Sequence, residues 1–321
     1  MDKTDVVALG ELLIDFTENG VSGQGNPLFE ANPGGAPCNV LAMLSKLGRR
    51  TEFIGKVGGD MFGRRLKKTL IEAGIGTRGL VTDLECNTTL AFVHTMENGD
   101  RDFSFFRNPG ADTMLRSGEI EESLIAGAGI FHFGSLSLTD EPAREATVCA
   151  LKAAGSYGVL RSFDPNLRPP LWRSVEEARA QIRFGLAHCD ILKISDNEIV
   201  WLTGKKDYSD GVRVIRREFD IPLICVSMGR EGSRAYLGDY MVEAPAFLQK
   251  ATVDTTGAGD TFCACVLNYV LEYGIEDCLK AGLKDMLLFA NAAASLLTTR
   301  KGALRVMPSV GEIMECCKMR N

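Results

Sequence analysis

The chain alternates between short apolar segments and longer segments in which apolar residues return every three or four positions. Short apolar segments are typical of buried β-strands, and the three-to-four spacing is typical of amphipathic helices. Strands are predicted at 6–10, 53–57, 130–133, 159–163, 190–194, 222–227 and 251–253. Helices are predicted at 40–47, 62–73, 141–154, 175–187, 196–203, 209–219, 261–273 and about 275–299, before a short final helix. This alternation predicts an α/β fold with a mostly parallel sheet.

Residues 88–107 break this rhythm, because apolar and polar residues alternate there as in strands. Asn98 and Gly99 are a strong signal for a tight hairpin turn. Residues 20–32 are polar and glycine-rich, which predicts a loop or an irregular strand. We expect a small β-sheet lid formed by about 12–33 and 88–110, inserted into a single domain of residues 1–321. Its exposed edge or face is a candidate contact for a homodimer.

Composition excludes several classes of protein. The 321 residues are 45% hydrophobic and 24% charged, as in ordinary globular proteins. A net charge of −6 argues against a nucleic-acid surface and against an anionic membrane as partner. The chain opens without a charged-then-apolar leader and has no apolar run of transmembrane length, so a cytoplasmic location is expected. The ten cysteines are scattered without metal-binding spacing, which favours buried free thiols.

Residues 254–260, with the sequence DTTGAGD, lie between a predicted strand and a predicted helix. The first N–H groups of a helix have no partner within the helix and carry the positive end of its dipole, so this turn can hold an anion such as phosphate. Asp260 in the same turn is either a helix cap or a base directed at whatever binds those amides. A tight turn capped by Asp260 explains these residues alone equally well.

Other polar residues follow predicted strands. Asp15 ends an apolar segment, and the polar stretches 164–168, 195–198 and 227–232 close three successive strands. Because the carboxyl ends of parallel strands share one edge of a sheet, these groups predict a site at that edge. An anion-binding turn, an aspartate and a lid are the parts that phosphoryl transfer needs. The standard P-loop and the protein-kinase motifs are absent.

The sequence resembles the ribokinase (PfkB) family of carbohydrate kinases, and most closely its plant and bacterial fructokinases. Gly34, Gly35 and Asn39 match the N-terminal signature of the family, and residues 254–260 match its highly specific C-terminal signature. Fructokinase-like stretches lie in the right order over essentially the whole chain, at 10–15, 53–58, 107–112, 164–168 and 195–198. The resemblance implies a ribokinase-like three-layer αβα sandwich with a small β-sheet lid. It also implies ATP-dependent phosphorylation of D-fructose to fructose 6-phosphate.

The resemblance also implies roles for individual residues. Asp260 would be the catalytic base, and Gly257, Ala258 and Gly259 would form the anion hole. Asp15, Gly34, Gly35 and Asn39 would bind the sugar. The residues that would border ATP are Lys193, Glu198, Ser227, Gly229, Gly232, Gly257, Gly259 and Asn291.

Two cations are implied in addition to ATP. Glu198 would act on the water shell of Mg²⁺, although Ser195 stands where the ribokinase form of this motif has asparagine. Asp254, Thr256 and Gly302 match the positions that bind K⁺ in many members of the family.

The sequence leaves the roles of Arg107 and Arg168 undecided. Both are candidates for substrate contact, and a pair of surface arginines explains them equally well. They matter because related kinases of 2-keto-3-deoxygluconate bind a carboxylate. A kinase of that acid or of a riboside is therefore an alternative, as is a non-catalytic sugar-binding regulator. A dinucleotide-dependent oxidoreductase is excluded, because no GxGxxG follows the first strand.

Overall fold

The computed structural model describes residues 3–95 and 101–318, and the side chains of all of these except 94–95, 101–103 and 277–281. Strands and helices are numbered in chain order. One sheet has nine strands in the spatial order β13-β12-β11-β10-β9-β8-β1-β4-β5. Its strands are β1 (Thr4–Leu9), β4 (Thr51–Gly58), β5 (Ile75–Asp83), β8 (Ala128–Gly134), β9 (Leu160–Asp164), β10 (Ile191–Ser195), β11 (Leu223–Ser227), β12 (Ser233–Leu237) and β13 (Tyr240–Ala244).

All neighbouring strands from β11 to β5 in this order are parallel, whereas β12 and β13 form an antiparallel edge. The second sheet has four strands in the order β3-β2-β6-β7. Its strands are β2 (Leu13–Val21), β3 (Pro27–Gly34), β6 (Leu90–Thr95) and β7 (Arg101–Phe106). The predicted α/β class with a mostly parallel sheet and a small second sheet is therefore confirmed.

Helices cover both faces of the nine-stranded sheet. They are α1 (Ala36–Lys46), α2 (Met61–Glu72), α3 (Glu122–Ala126), α4 (Ala143–Ser156), α5 (Val175–Leu186), α6 (Asp196–Thr203), α7 (Tyr208–Glu218), α8 (Ala258–Ala281), α9 (Leu283–Leu297) and α10 (Val310–Lys318). Among the helices of the described residues, none combines the length and apolarity needed to cross a membrane.

Successive residues of a strand point to opposite faces of a sheet, so each parallel strand feeds two cores. In β1, Val6 and Ala8 belong to the core under α1, α8 and α9, whereas Val7 and Leu9 belong to the core under α4 and α5. All four side chains are fully buried. This double burial explains why the sequence shows short continuous apolar segments instead of an alternating pattern.

Several predicted elements differ from the structure. Residues 251–253 are not a strand, because Val253 and Asp254 donate their N–H groups to the carbonyl of Thr298 at the end of α9. The helix predicted at 261–273 begins earlier, at Ala258, and continues past a break at Gly274 (φ 69°, ψ 168°). Strands β5, β12 and β13 and the short helix α3 were not predicted.

The prediction that Asp15 ends a strand was also wrong. Asp15 lies inside β2 of the four-stranded sheet and not at the end of a strand of the parallel sheet. The segment 20–32, predicted as a loop or irregular strand, is mostly the β2–β3 antiparallel pair with a register shift between Glu18 and Val21. These predictions failed because the strands of this sheet are too exposed to give a strong apolar pattern.

The predicted hairpin of residues 88–107 is present as the antiparallel pair β6–β7. Its Asn98-Gly99 turn lies outside the described residues. The β2–β3 and β6–β7 pairs form one sheet because β2 runs parallel to β6, with Ile14 opposite Leu90. One face carries stacked Phe16 and Phe92 and the exposed Phe29 and Phe106. A homodimer through this sheet stays a prediction.

Candidate active site

The predicted site residues converge on one cavity between the two sheets. It has a volume of about 570 Å³ and lies beside the carboxyl ends of the parallel strands. Twelve predicted residues line it: Asp15, Gly34, Gly35, Asn39, Arg168, Lys193, Asp254, Thr256, Gly257, Gly259, Asp260 and Gly302. Helix α1, strands β2 and β3 and the N-terminus of α8 all contribute to its lining, and Asn39 of α1 lies within hydrogen-bonding distance of Asp260 of α8.

The N-terminus of α8 leaves backbone donors facing this cavity. Gly257 precedes the helix in a left-handed conformation (φ 78°), which glycine adopts without steric cost. Thr261 closes the first helical turn by donating to the carbonyl of Gly257 at 2.8 Å, and Ala258 donates to Thr255 at 3.3 Å. Between them, the N–H groups of Gly259 and Asp260 have no backbone acceptor among the described residues. The turn can therefore hold an anion.

Asp260 is not a cap, because its carboxylate makes no capping hydrogen bond to the helix N-terminus. Its Oδ2 accepts a hydrogen bond from Nδ2 of Asn39 at 2.8 Å, and its Oδ1 accepts one from Nδ2 of Asn166 at 3.4 Å. Burial raises the pKa of Asp260 and outweighs the hydrogen bond from Asn39 and the positive charges of Lys193 and Arg168. A carboxylate with a raised pKa is a better proton acceptor than an exposed one.

Helix α1 and strand β2 each bring to the cavity a group that suits a polar ligand. Asn39 is 3% exposed, and among the described residues nothing bonds its Oδ1. A buried acceptor without a partner is rare and indicates that a donor binds there. The carboxylate of Asp15 lies so close to Gly34 that any side chain at Gly34 would overlap it.

Behind the α8 N-terminus lies a group of buried charges. Lys193 on β10 forms an ion pair with Asp164 at 3.0 Å, and its Nζ also lies beside Gly259. Burial alone would lower the pKa of Lys193, but Asp164 and Glu198 outweigh burial and raise it, so the ammonium stays protonated. Lys193 thus adds positive charge next to the free amides of α8.

Glu198 closes a capping box at the start of α6. Its Oε2 accepts from the backbone N–H and the hydroxyl of Ser195, and its Oε1 accepts from the N–H of Leu167 at 2.8 Å. Burial would raise the pKa of Glu198, but the charge of Lys193 and these donors hold it below its usual value. Glu198 is therefore a carboxylate, as a group acting on the water shell of Mg²⁺ must be.

Asp254 connects two loops at the cavity edge. Its Oδ1 accepts from the N–H of Thr256 at 2.9 Å, and its Oδ2 accepts from the N–H of Gly302 at 3.1 Å. The three residues predicted to bind K⁺ are thus brought together, with carboxylate, hydroxyl and carbonyl oxygens that suit a hard cation.

The two arginines whose roles the sequence left undecided differ in their surroundings. Arg107 is buried, pairs with Asp112 at 2.7 Å, and donates to Thr139 and to the carbonyl of Leu136. It does not line the cavity, so the prediction that Arg107 contacts substrate is not supported by this geometry. Arg168 does line the cavity and makes no salt bridge with any described residue.

Besides Glu198, four residues predicted to border ATP lie outside this cavity. Ser227 ends β11 beside Ser195, so it shares the same sheet edge. Gly229 and Gly232 follow in the turn before β12, and Asn291 on α9 donates to the carbonyls of Ala244 and Pro245. Their positions along one side of the site are compatible with an elongated nucleotide, and their contact with ATP stays a prediction.

Two of the polar cavity residues that sequence reasoning missed make contacts relevant to the site. Glu11 lines the cavity, and its Oε1 accepts from the N–H of Ala36 at 2.7 Å. Asn166 also lines it and reaches Asp260. Both lie inside stretches that carried the family resemblance, at 10–15 and 164–168, and this was the available signal.

Comparisons with known proteins identify the family of this chain. The model of the pfkB family of carbohydrate kinases matches residues 3–309. Probable fructokinase-2 of Arabidopsis thaliana is 41% identical over 321 residues, covering 99% of this chain and 97% of that relative. This chain therefore belongs to the pfkB family, and it is a carbohydrate kinase.

Solved structures with the same fold are known. Fructokinase with bound ATP from Xylella fastidiosa has a TM-score of 0.90 and 30% identity, with 99% of each chain covered. A fructokinase double mutant from Vibrio cholerae O395, in its fructose, ADP and potassium ion bound form, has a TM-score of 0.88 and 29% identity, again with 99% of each chain covered.

Proposed function

We propose that the protein is an ATP-dependent fructokinase, which transfers the γ-phosphoryl group of ATP to the primary hydroxyl of D-fructose and yields fructose 6-phosphate. One observation carries this proposal. The N–H groups of Gly259 and Asp260, which have no backbone acceptor among the described residues, and the carboxylate of Asp260 share one cavity with the side-chain acceptors of Asp15 and Asn39. A base and an anion-binding turn at one point are what transfer to an alcohol requires. Likeness to fructokinases supports fructose as the acceptor.

Asp260 would act as the base. As the sugar oxygen attacks the γ-phosphorus, its proton passes to the carboxylate of Asp260 and the bond from phosphorus to the bridging oxygen of ADP breaks. The amides at 257–260 would stabilise the negative charge on the transferring group. The hydrogen bond from Asn39 supports this role, because it holds the carboxylate in one orientation.

Asp15, Gly34, Gly35 and Asn39 would bind the sugar hydroxyls. The carboxylate of Asp15 and the unpartnered Oδ1 of Asn39 are both acceptors, and an uncharged sugar presents several hydroxyl donors. The four-stranded sheet would close over the sugar as a lid and exclude water.

Cations would complete the site. When bound, Mg²⁺ neutralises phosphate charge, and the ionised Glu198 would order its water shell. Asp254, Thr256 and Gly302 would hold K⁺ beside the anion hole, consistent with the potassium in the Vibrio cholerae enzyme.

Charge around the cavity favours a neutral sugar over a sugar acid. Arg107 is neutralised by Asp112 behind the cavity wall, and Lys193 is paired with Asp164. Arg168 is thus the one cavity-lining arginine or lysine without a carboxylate partner among the described residues. A sugar carboxylate would also approach the acidic group of Asp15.

An ADP-release assay with Mg-ATP tests the proposal. We expect saturable turnover with fructose, with kcat/KM at least about tenfold above that for ribose, adenosine, glucose or 2-keto-3-deoxygluconate. The assay is run in K⁺ and again with tetramethylammonium in its place, and loss of rate in the second buffer supports the cation site.

Turnover on 2-keto-3-deoxygluconate alone would overturn fructose as substrate and would assign Arg168 to the sugar carboxylate. Sugar binding by calorimetry without turnover on any acceptor would overturn catalysis and favour a sugar-binding regulator.

A further inference from the structure

Asn166 has an unusual backbone. It follows β9, and with φ at 45° it is the one non-glycine residue of the described chain in the left-handed region. Asparagine tolerates this region better than most residues, so the conformation alone would identify only a turn. What distinguishes Asn166 is where the turn directs its side chain.

The turn is held from several sides. The carbonyl of Pro165 accepts from the N–H of Ser135 at 3.3 Å and from its hydroxyl. The N–H of Asn166 donates to Oδ1 of Asp164 at 3.3 Å, and the N–H of Leu167 donates to Glu198 at 2.8 Å. Groups from β8, β9 and α6 therefore set the direction of the Asn166 side chain.

That direction brings the amide to Asp260. Nδ2 of Asn166 reaches Oδ1 at 3.4 Å, while Nδ2 of Asn39 on α1 reaches Oδ2 at 2.8 Å. Each carboxylate oxygen thus has one neutral amide donor, and the two donors come from different elements, α1 and the turn after β9. The longer distance means that the Asn166 contact is the weaker of the two.

We propose that Asn166 is a positioning residue for the base, an assignment that rests on the proposed role of Asp260. Together with Asn39 it fixes the plane of the carboxylate. A neutral amide can do this without an ion pair, which would lower the basicity of the carboxylate further. The cationic Lys193 is instead directed at Asp164.

The variant Asn166→Gly tests this role, because glycine adopts φ 45° freely and removes only the amide. We expect kcat for fructose to fall about tenfold, with KM for fructose within about threefold, because the ground-state sugar contacts remain. Since a donor to the carboxylate is lost, the acidic limb of the kcat–pH profile should move to higher pH.

Asn166→Asp is the second variant. It keeps the size and turn preference of asparagine but places a carboxylate against Asp260, so the limb should move further in the same direction. Urea unfolding of both variants checks that the turn survives.

Unchanged kcat and pH profile in Asn166→Gly, with Asp260→Asn inactive, would overturn the positioning role and leave the base in place. A lower kcat with an unshifted profile would overturn it too, because a merely structural turn would behave in that way. Near-normal turnover of Asp260→Asn would instead overturn the base assignment on which both proposals stand.

Discussion

The two walls of the cavity are built differently. On one side, the nine-stranded sheet presents strand ends and the α8 N-terminus, supported by buried charges such as Lys193, Asp164 and Glu198. On the other side, the four-stranded sheet presents a face, with Leu13, Asp15 and Thr17 toward the cavity and Phe16 on the reverse. The first wall has few ways to move without breaking buried ion pairs, whereas the second is thin and partly exposed.

This difference suggests that the two walls have different roles in catalysis and in substrate binding. Groups that touch reacting atoms must be held within fractions of an ångström, and buried networks provide this rigidity. Groups that admit and enclose a substrate must move, and they come from parts of low local stability. We therefore expect changes on the first wall to affect turnover and changes on the second wall to affect sugar binding and closure.

The largest effect is expected from Asp260→Asn on the rigid wall. Loss of the base should lower kcat by roughly 10²–10⁴-fold, because general-base catalysis contributes about that much. Sugar affinity, measured by calorimetry, should stay within about fivefold. Asp239→Asn in the exposed β12–β13 turn is the matched control and should behave as wild type. Near-normal turnover of Asp260→Asn would remove the distinction between the walls.

An intermediate effect is expected at the four-stranded sheet. If the four-stranded sheet closes over sugar, saturating fructose should slow hydrogen exchange of backbone amides at 13–34, 90–95 and 101–106 by about threefold or more. The β12–β13 hairpin serves as internal reference. Asp15→Asn should need more fructose for the same protection. Equal exchange with and without fructose would contradict the lid.

The smallest effect concerns Glu11, which lies where the two walls meet. Burial raises the pKa of Glu11 to about 7 against the lowering effects of hydrogen bonds from its own backbone and Ala36 and of Arg107, and Asp112 raises it further. Because the folded-state pKa is above the unfolded value of 4.5, the native chain binds this proton more tightly. The resulting stability is complete below about pH 4.5 and is lost as pH rises through about 7.

Glu11→Gln should remove this dependence, since glutamine still accepts the N–H of Ala36 but cannot ionise. Urea unfolding measures this effect. Between pH 5 and pH 8, the free energy of unfolding of the wild type should fall by on the order of 1–3 kcal/mol more than that of the variant. Glu176→Gln on the surface of α5 is the control. Parallel pH curves for wild type and Glu11→Gln would rule out a buried, protonated Glu11.

The nine-stranded sheet was also easier to predict from the sequence than the four-stranded sheet. Apart from β5 at the edge of the sheet, the parallel strands were predicted to within a few residues, because strands buried on both faces leave continuous apolar segments. The glycine turn before α8 was predicted because glycines between a strand-like segment and a helical segment mark a tight turn with exposed helix N–H groups. The four-stranded sheet was predicted only in part, and Asp15 was placed at a strand end instead of inside β2, because half-exposed strands leave weaker patterns.

The sequence by itself determined the α/β class, the turn at 254–260 and the residue types of a phosphotransfer site, since these depend on local spacing and backbone preference. Tertiary structure decided which groups meet. It paired Arg107 with Asp112 and withdrew it from the cavity, and it brought Asn39 and Asn166 to opposite oxygens of Asp260. Such contacts join residues as many as 221 positions apart, and no local pattern in the chain encodes a distance of that kind.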